Sequence, residues 1–169
     1  IAAFTGDLIT LAPDELENLA PILGRIKAKT FSVLGNHDYS IYSHASEQER
    51  QAHLEDLIAR ENEMGWKLLL DEHRIISKGT DSIAVIGVQN TSPSRHFPSK
   101  GDLKKASEGT EGMFRIVLSH DPMHWENEIL GQDYPLTLSG HTHAMQLSLL
   151  GWSPSSLLVD ETRGLYTRD

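Results

Sequence analysis

Four short apolar runs in this chain break off in the same way, and that recurrence constrains the fold more than any other feature. "AFTGD" ends in Asp7, "SVLGNHD" in Asn36, His37 and Asp38, "IVLSHD" in His120, and "LTLSGHTH" in His141 and His143. Each run can form a strand, is followed by a small residue, and then offers a side chain able to bind metal or move a proton. Glycine at such a point lets the backbone turn sharply as it leaves a sheet. In open α/β sheets, ligands gather at the carboxyl ends of the strands. If the sheet is largely parallel, these ends converge on one edge.

The segments between the runs alternate strand and helix signals, which argues for an α/β domain occupying residues 1–169. Residues 12–27 read as a helix or a pair of short helices: Pro13 starts it, Asp14, Glu15 and Glu17 crowd its first turns, and Lys27 and Lys29 follow its end. Residues 46–64 are the clearest helix. Ser46 and Glu49 fit a capping box, Gly65 fits a stop, and Leu54, Leu57 and Ile58 supply the apolar stripe. "WKLLL" and "HRIIS" read as a hairpin around Asp71-Glu72, followed by a buried strand, "SIAVIGV". Residues 89–102, "QNTSPSRHFPSKGD", form a long polar loop of the kind often kept for function. "LKKASEG" reads as a short helix, and residues 152–169 as the start of a further strand region.

Composition narrows the chemistry. The formal net charge of -9 disfavours bulk nucleic acid, whose binding rests on Lys and Arg neutralising phosphates. The chain has no cysteine, so disulfides and thiolate metal sites are excluded, and metal ligands must be His, Asp, Glu or Asn. Such donors suit manganese, iron, zinc or magnesium. No apolar run approaches the roughly 20 residues needed to span a bilayer. The chain opens without methionine and inside a strand, and reads as a fragment or processed form.

The residues at the four strand ends match the needs of a dinuclear centre, in which two divalent ions about 3.5–4 Å apart share a bridging ligand. Asp7 can bridge through its two carboxylate oxygens, and Asn36 offers a neutral oxygen. His141 and His143, one residue apart in an extended loop, can serve two neighbouring ions.

The ordered series GD, GNHD, SH and GHTH resembles the calcineurin-like metallophosphoesterase superfamily, and is most similar to its bacterial branch of stand-alone phosphohydrolases. The resemblance covers nearly the whole chain. It implies a four-layer α/β/β/α sandwich in which Asp7 bridges two metals, Asn36, His120 and His141 complete one site, and His143 belongs to the other. His37 is then the non-ligand histidine that stabilises the transition state or protonates the leaving group, and Asp38 orients it. The family's first motif, an Asp-x-His on the first strand, does not precede Gly6, so the first strand is expected to lie upstream of this chain. One of the two sites is therefore expected to bind metal poorly in this chain. An N-terminal anchor or export signal, frequent in relatives of this branch, would also lie upstream.

The implied reaction is metal-dependent hydrolysis of a small phosphoester by a hydroxide bridging the two ions. Arg95 in the long loop and His124, four residues past His120, are weaker candidates for substrate contact. His44, His53, His73 and His96 read as surface residues. The alternative function is a catalytically impaired metal-binding or scaffold protein of the same fold. A Ser-His-Asp hydrolase is disfavoured because no Gly-x-Ser-x-Gly elbow is present.

Overall fold

The computed structural model describes residues 1–142 and 164–168. His143 and most of the C-terminal segment read as a strand region lie outside the described residues.

Two sheets carry the architecture. The first is wholly parallel and joins β1 (Ala2–Phe4), β2 (Thr30–Ser32) and β3 (Lys67–Leu68) in that order. The second has the order β4 (Glu72–Lys78), β5 (Asp81–Gly87), β6 (Phe114–Leu118), β7 (Leu136–Leu138). Among the described residues, only its β4–β5 pair is antiparallel. The mixed α/β class expected from the sequence is therefore present, with the parallel strands divided between two sheets.

Side-chain alternation along the strands builds three apolar layers. Phe31 and Val33 from the first sheet meet Val85 and Leu118 from the second, together with Leu69, between the sheets. Ala84, Ile86 and Val117 point the other way, onto Leu103 and Ala106 of α3 (Leu103–Ser107) and onto Ile129. On the outer face of the first sheet, Ile9, Leu16, Leu34 and Tyr39 cluster with Leu57 of α2 (Glu47–Glu63). Each large apolar side chain buried in this way contributes about 1.5–3 kcal/mol. The result is helices, sheet, sheet, helices, the four-layer order that the resemblance implied.

Local signals explain the element ends. The Ser46 hydroxyl accepts from the Glu49 N–H while the Glu49 carboxylate accepts from the Ser46 N–H, which completes the capping box of α2. Residues 12–27 split as expected, into a 3₁₀ turn at Pro13–Leu16 and α1 (Ala20–Leu23). None of the described helices is long and apolar enough to cross a membrane.

One expectation is corrected. "WKLLL" and "HRIIS" do not pair as a hairpin: β3 belongs to the first sheet and β4 to the second. Asp71 makes the crossing. It adopts a left-handed backbone, with φ 56, and its buried carboxylate accepts hydrogen bonds from the Gln89 and Asp102 N–H groups, each at 3.0 Å. The true hairpin lies one step later, between β4 and β5, where Gly79 supplies a φ of 64.

Candidate metal centre

The loops after β1 and β2, in the first sheet, meet those after β6 and β7, in the second. Two glycines permit the approach. Gly6 has φ 94, and a Cβ on it would lie 2.5 Å from the Gly35 nitrogen and 2.7 Å from His120 Nδ1. A Cβ on Gly35 would collide with Asp7 Oδ1 and stand 2.7 Å from His120 Cε1. Any side chain at either position would push the two loops apart.

Asp38 ties these loops together. Its buried carboxylate accepts N–H groups from Asp7 and Leu8 at 2.8 Å each, from Ile9 at 3.2 Å and from Gly35 at 2.7 Å. Burial pushes its pKa up to about 6; the Gly35 N–H works against that rise, and the charge of Asp7 adds to it. His37 Nδ1 lies 2.9 Å from the Thr10 carbonyl. That carbonyl faces His37 because Glu15 folds back to accept the N–H groups of Thr10, Leu11 and Ala12, closing the loop in front of the 3₁₀ turn. The N–H groups that Asp38 accepts tie the loop after β2, which also carries His37, to the loop after β1.

Asp7, Asn36, His120 and His141 come together at the junction. His120 Nε2 lies 3.1 Å from Asp7 Oδ2, 3.2 Å from Asn36 Oδ1 and 3.2 Å from His141 Nδ1. His141 Nδ1 is also 2.8 Å from Asn36 Oδ1. Asp7, His120 and His141 each offer one ligand atom, all within 4.8 Å of one another. These atoms are aimed by their other contacts. The Thr5 carbonyl, 2.6 Å from His120 Nδ1, accepts the hydrogen bond from Nδ1–H and turns the Nε2 lone pair to the cluster. Asn36 donates from Nδ2 to the Tyr42 hydroxyl at 3.0 Å, which leaves Oδ1 facing the imidazoles. His141 has φ 66, presents Nδ1 to the cluster and sets Nε2 4.0 Å from Asp121 Oδ2.

Electron-pair donors converging this closely suit a cation between them. The electrostatics agree. Burial works to lower the pKa of His120, but the hydrogen bond and charge of Asp7 outweigh it and raise it above the ordinary histidine value. Burial likewise works to raise Asp7, yet His120 and the His37 N–H hold its carboxyl below the usual range. The cluster favours positive charge at its centre.

The remaining candidates lie elsewhere. Arg95 is exposed on the 89–102 loop. His124 is buried and engaged at both nitrogens, by Ser119 Oγ at 2.7 Å and by Glu128 Oε2 at 3.3 Å, so it does not line the cluster. Ser119, His124 and Glu128 have the composition of a hydrolytic triad, but Ser119 is 0% exposed and out of reach of a substrate. His44 and His96 are exposed as expected, whereas His53 and His73 are half-buried and bound to Ser40 Oγ and the Ala106 carbonyl. Sequence reasoning missed Thr5, Thr10, Tyr42, Phe97 and Asp121 as neighbours of the site. Only Asp121, adjacent to His120, carried a usable signal.

A mixed α/β fold with two facing sheets and a His/Asp/Asn cluster at their junction has the makings of a metal-binding protein. Residues 2–145 match the calcineurin-like phosphoesterase family, and the chain belongs to it. Among curated proteins it is 32% identical over 158 residues to the "Transmembrane protein with metallophosphoesterase domain" of Danio rerio, a match covering 87% of this chain and 33% of that protein. The chain thus spans about a third of that relative's length. No solved structure matches the chain significantly. Members of this family are metal-dependent phosphoester hydrolases.

Proposed function

We propose that residues 1–169 form one catalytic domain that hydrolyses a small phosphoester at a dinuclear centre, with Asp7 shared by two divalent ions. Asn36, His120 and His141 complete one site and His143 serves the other. The observation that carries this reading is the convergence of Asp7, His120 and His141 on one point. Their nitrogen and oxygen donors suit manganese, iron or zinc. Bound ions would supply an activated water nucleophile and would offset the charge of the phosphoryl oxygens.

The chain's own residues perform the rest. His37 keeps its Nδ1 proton on the Thr10 carbonyl and so has Nε2 for the substrate. When protonated, Nε2–H meets the negative charge that develops on the leaving oxygen, either as an acid or as a fixed donor. Asp38 keeps His37 and Asp7 in register by binding both loops. Arg95, exposed on the loop whose Phe97 touches His141, is the candidate for contact with the substrate's outer phosphate oxygens.

The test is release of nitrophenolate from bis-p-nitrophenyl phosphate with added manganese. The reading predicts turnover that chelation abolishes. Tight metal binding with no turnover toward mono- or diesters would instead assign a binding role.

A further inference from the structure

Two aromatic rings pack against residues at the candidate metal cluster, Tyr42 on His37 and Phe97 on His141, and neither belongs to the candidate ligands or to the proton-transfer machinery. Tyr42 lies against His37, with ring centroids 4.4 Å apart and planes tilted by 38°. Its hydroxyl accepts the Asn36 amide at 3.0 Å, which fixes the ring beside both residues. Phe97 meets His141 edge-on, with centroids 5.0 Å apart and planes at 83°. One line of contacts therefore runs from Tyr42 through Asn36 and His141 to Phe97, with the donor atoms in its middle.

The loop that carries Phe97 is built to hold it there. Asn90, fully buried at the loop's neck, donates from Nδ2 to the Pro98 carbonyl at 2.6 Å and accepts the Lys100 N–H at 2.9 Å through its own carbonyl. Asp71 binds the Gln89 and Asp102 N–H groups at the two ends. Phe97 itself closes a turn, with its N–H on the Ser94 carbonyl at 3.2 Å. A loop of 14 residues, 89–102, is thus closed across its base and brings one half-buried aromatic side chain to the site.

Tyr42 is 45% exposed despite its aromatic bulk. Exposed aromatic faces beside a reacting centre stack planar groups, and the ring quadrupole favours offset or edge-to-face partners over aliphatic ones. We propose that Tyr42 and Phe97 are the two walls of the substrate cleft, and that they select phosphoesters carrying an aromatic group next to phosphorus. This rests on the hydrolase reading above for the place of the phosphoryl group, but the selectivity is a property of binding and needs no turnover.

The experiment is calorimetric titration of the manganese-loaded chain with phenylphosphonate and with methylphosphonate, neither of which can be hydrolysed. Wild type is expected to prefer the phenyl compound, each ring contributing roughly three- to tenfold. Tyr42→Ala and Phe97→Ala should each reduce the preference by that factor, and the double variant should abolish it. Phe97→Leu keeps apolar volume without the ring and should behave like Phe97→Ala. Unchanged urea midpoints show that the variants are folded. Equal binding of the two phosphonates by wild type, binding of neither, or an undiminished preference in both single variants overturns the proposal. A phenyl preference without hydrolysis of any ester would leave the aromatic cleft standing and remove the hydrolase reading; hydrolysis without the preference would do the reverse.

Discussion

His120 and Asp7 touch across the boundary between the two sheets: Nε2 of His120, after β6, lies 3.1 Å from Oδ2 of Asp7, after β1. Neither sheet alone carries the candidate ligands, so the cluster exists only when the sheets are packed. Ions that bind the folded chain but not the unfolded one stabilise it by mass action, by about 2.7 kcal/mol at a hundredfold excess over Kd. Thermal unfolding with manganese, against the same scan with chelator, should show a rise of several degrees. Asp7→Asn should lose most of it. An equal rise in that variant would separate Asp7 from the metal.

Asp38 predicts a different phenotype. It accepts four backbone N–H groups from two loops, and each buried donor left without a partner costs about 1–3 kcal/mol. Asp38→Ala should therefore lose several kcal/mol of stability in urea unfolding as well as metal affinity, whereas His37→Ala should keep both. A stable Asp38→Ala chain with intact metal binding would contradict the role given to this carboxylate.

Glu61 gives the chain a pH-dependent stability. It stands on the core face of α2, 1% exposed, with the Ser32 hydroxyl donating to its carboxyl. Burial pushes its pKa from 4.5 up to about 8; the Ser32 hydrogen bond opposes that rise and the charge of Asp38 reinforces it. Between those two values the folded chain retains a proton that the unfolded chain releases. Its contribution is thus complete below 4.5 and is lost as pH rises to about 8, by a few kcal/mol in total. Glu61→Gln should flatten this slope in urea midpoints measured across that range. An unchanged slope would show that Glu61 is not its source.

The α/β class and most elements were legible in the sequence because their signals are local: the Ser46–Glu49 box, the stop at Gly65, the β-rich runs. The point at which the chain passes from one sheet to the other was not. It depends on Asp71 holding a left-handed bend through N–H groups 18 and 31 residues away, and no short-range pattern records such contacts. The same limit applies to the site. Asp7, Asn36, His120 and His141 were legible because each follows a strand and a small residue. The carbonyls of Thr5 and Thr10 that aim His120 and His37 belong to the backbone, which leaves no mark on residue type. Tyr42 and Phe97 sit in irregular segments where no periodicity applies. His124 was misleading for the opposite reason: spacing near His120 suggested the cleft, but a single turn carries it to Ser119 and Glu128.

Conformational constraint at Gly35 offers a further test that leaves every candidate ligand in place. Gly35→Ala would drive a methyl group into Asp7 Oδ1 and to 2.7 Å from His120 Cε1. Manganese affinity measured by calorimetry should fall at least as far as the roughly 10–100-fold typical of losing an outer-shell partner. Gly112→Ala, where φ is 78 but a Cβ would meet nothing within 4 Å, serves as the control for backbone strain away from the site and should leave affinity unchanged. Equal affinities in the two variants would count against the close approach of the two loops.

The most direct measurement is the rate of bis-p-nitrophenyl phosphate hydrolysis by the manganese-loaded chain beside His37→Ala, with metal content determined in both. The account predicts turnover in wild type and a fall of about 10²–10⁴-fold in the variant at unchanged metal content, the range for loss of a general acid. Equal rates in the two proteins, or no hydrolysis by a wild-type chain that holds its metal, would contradict it.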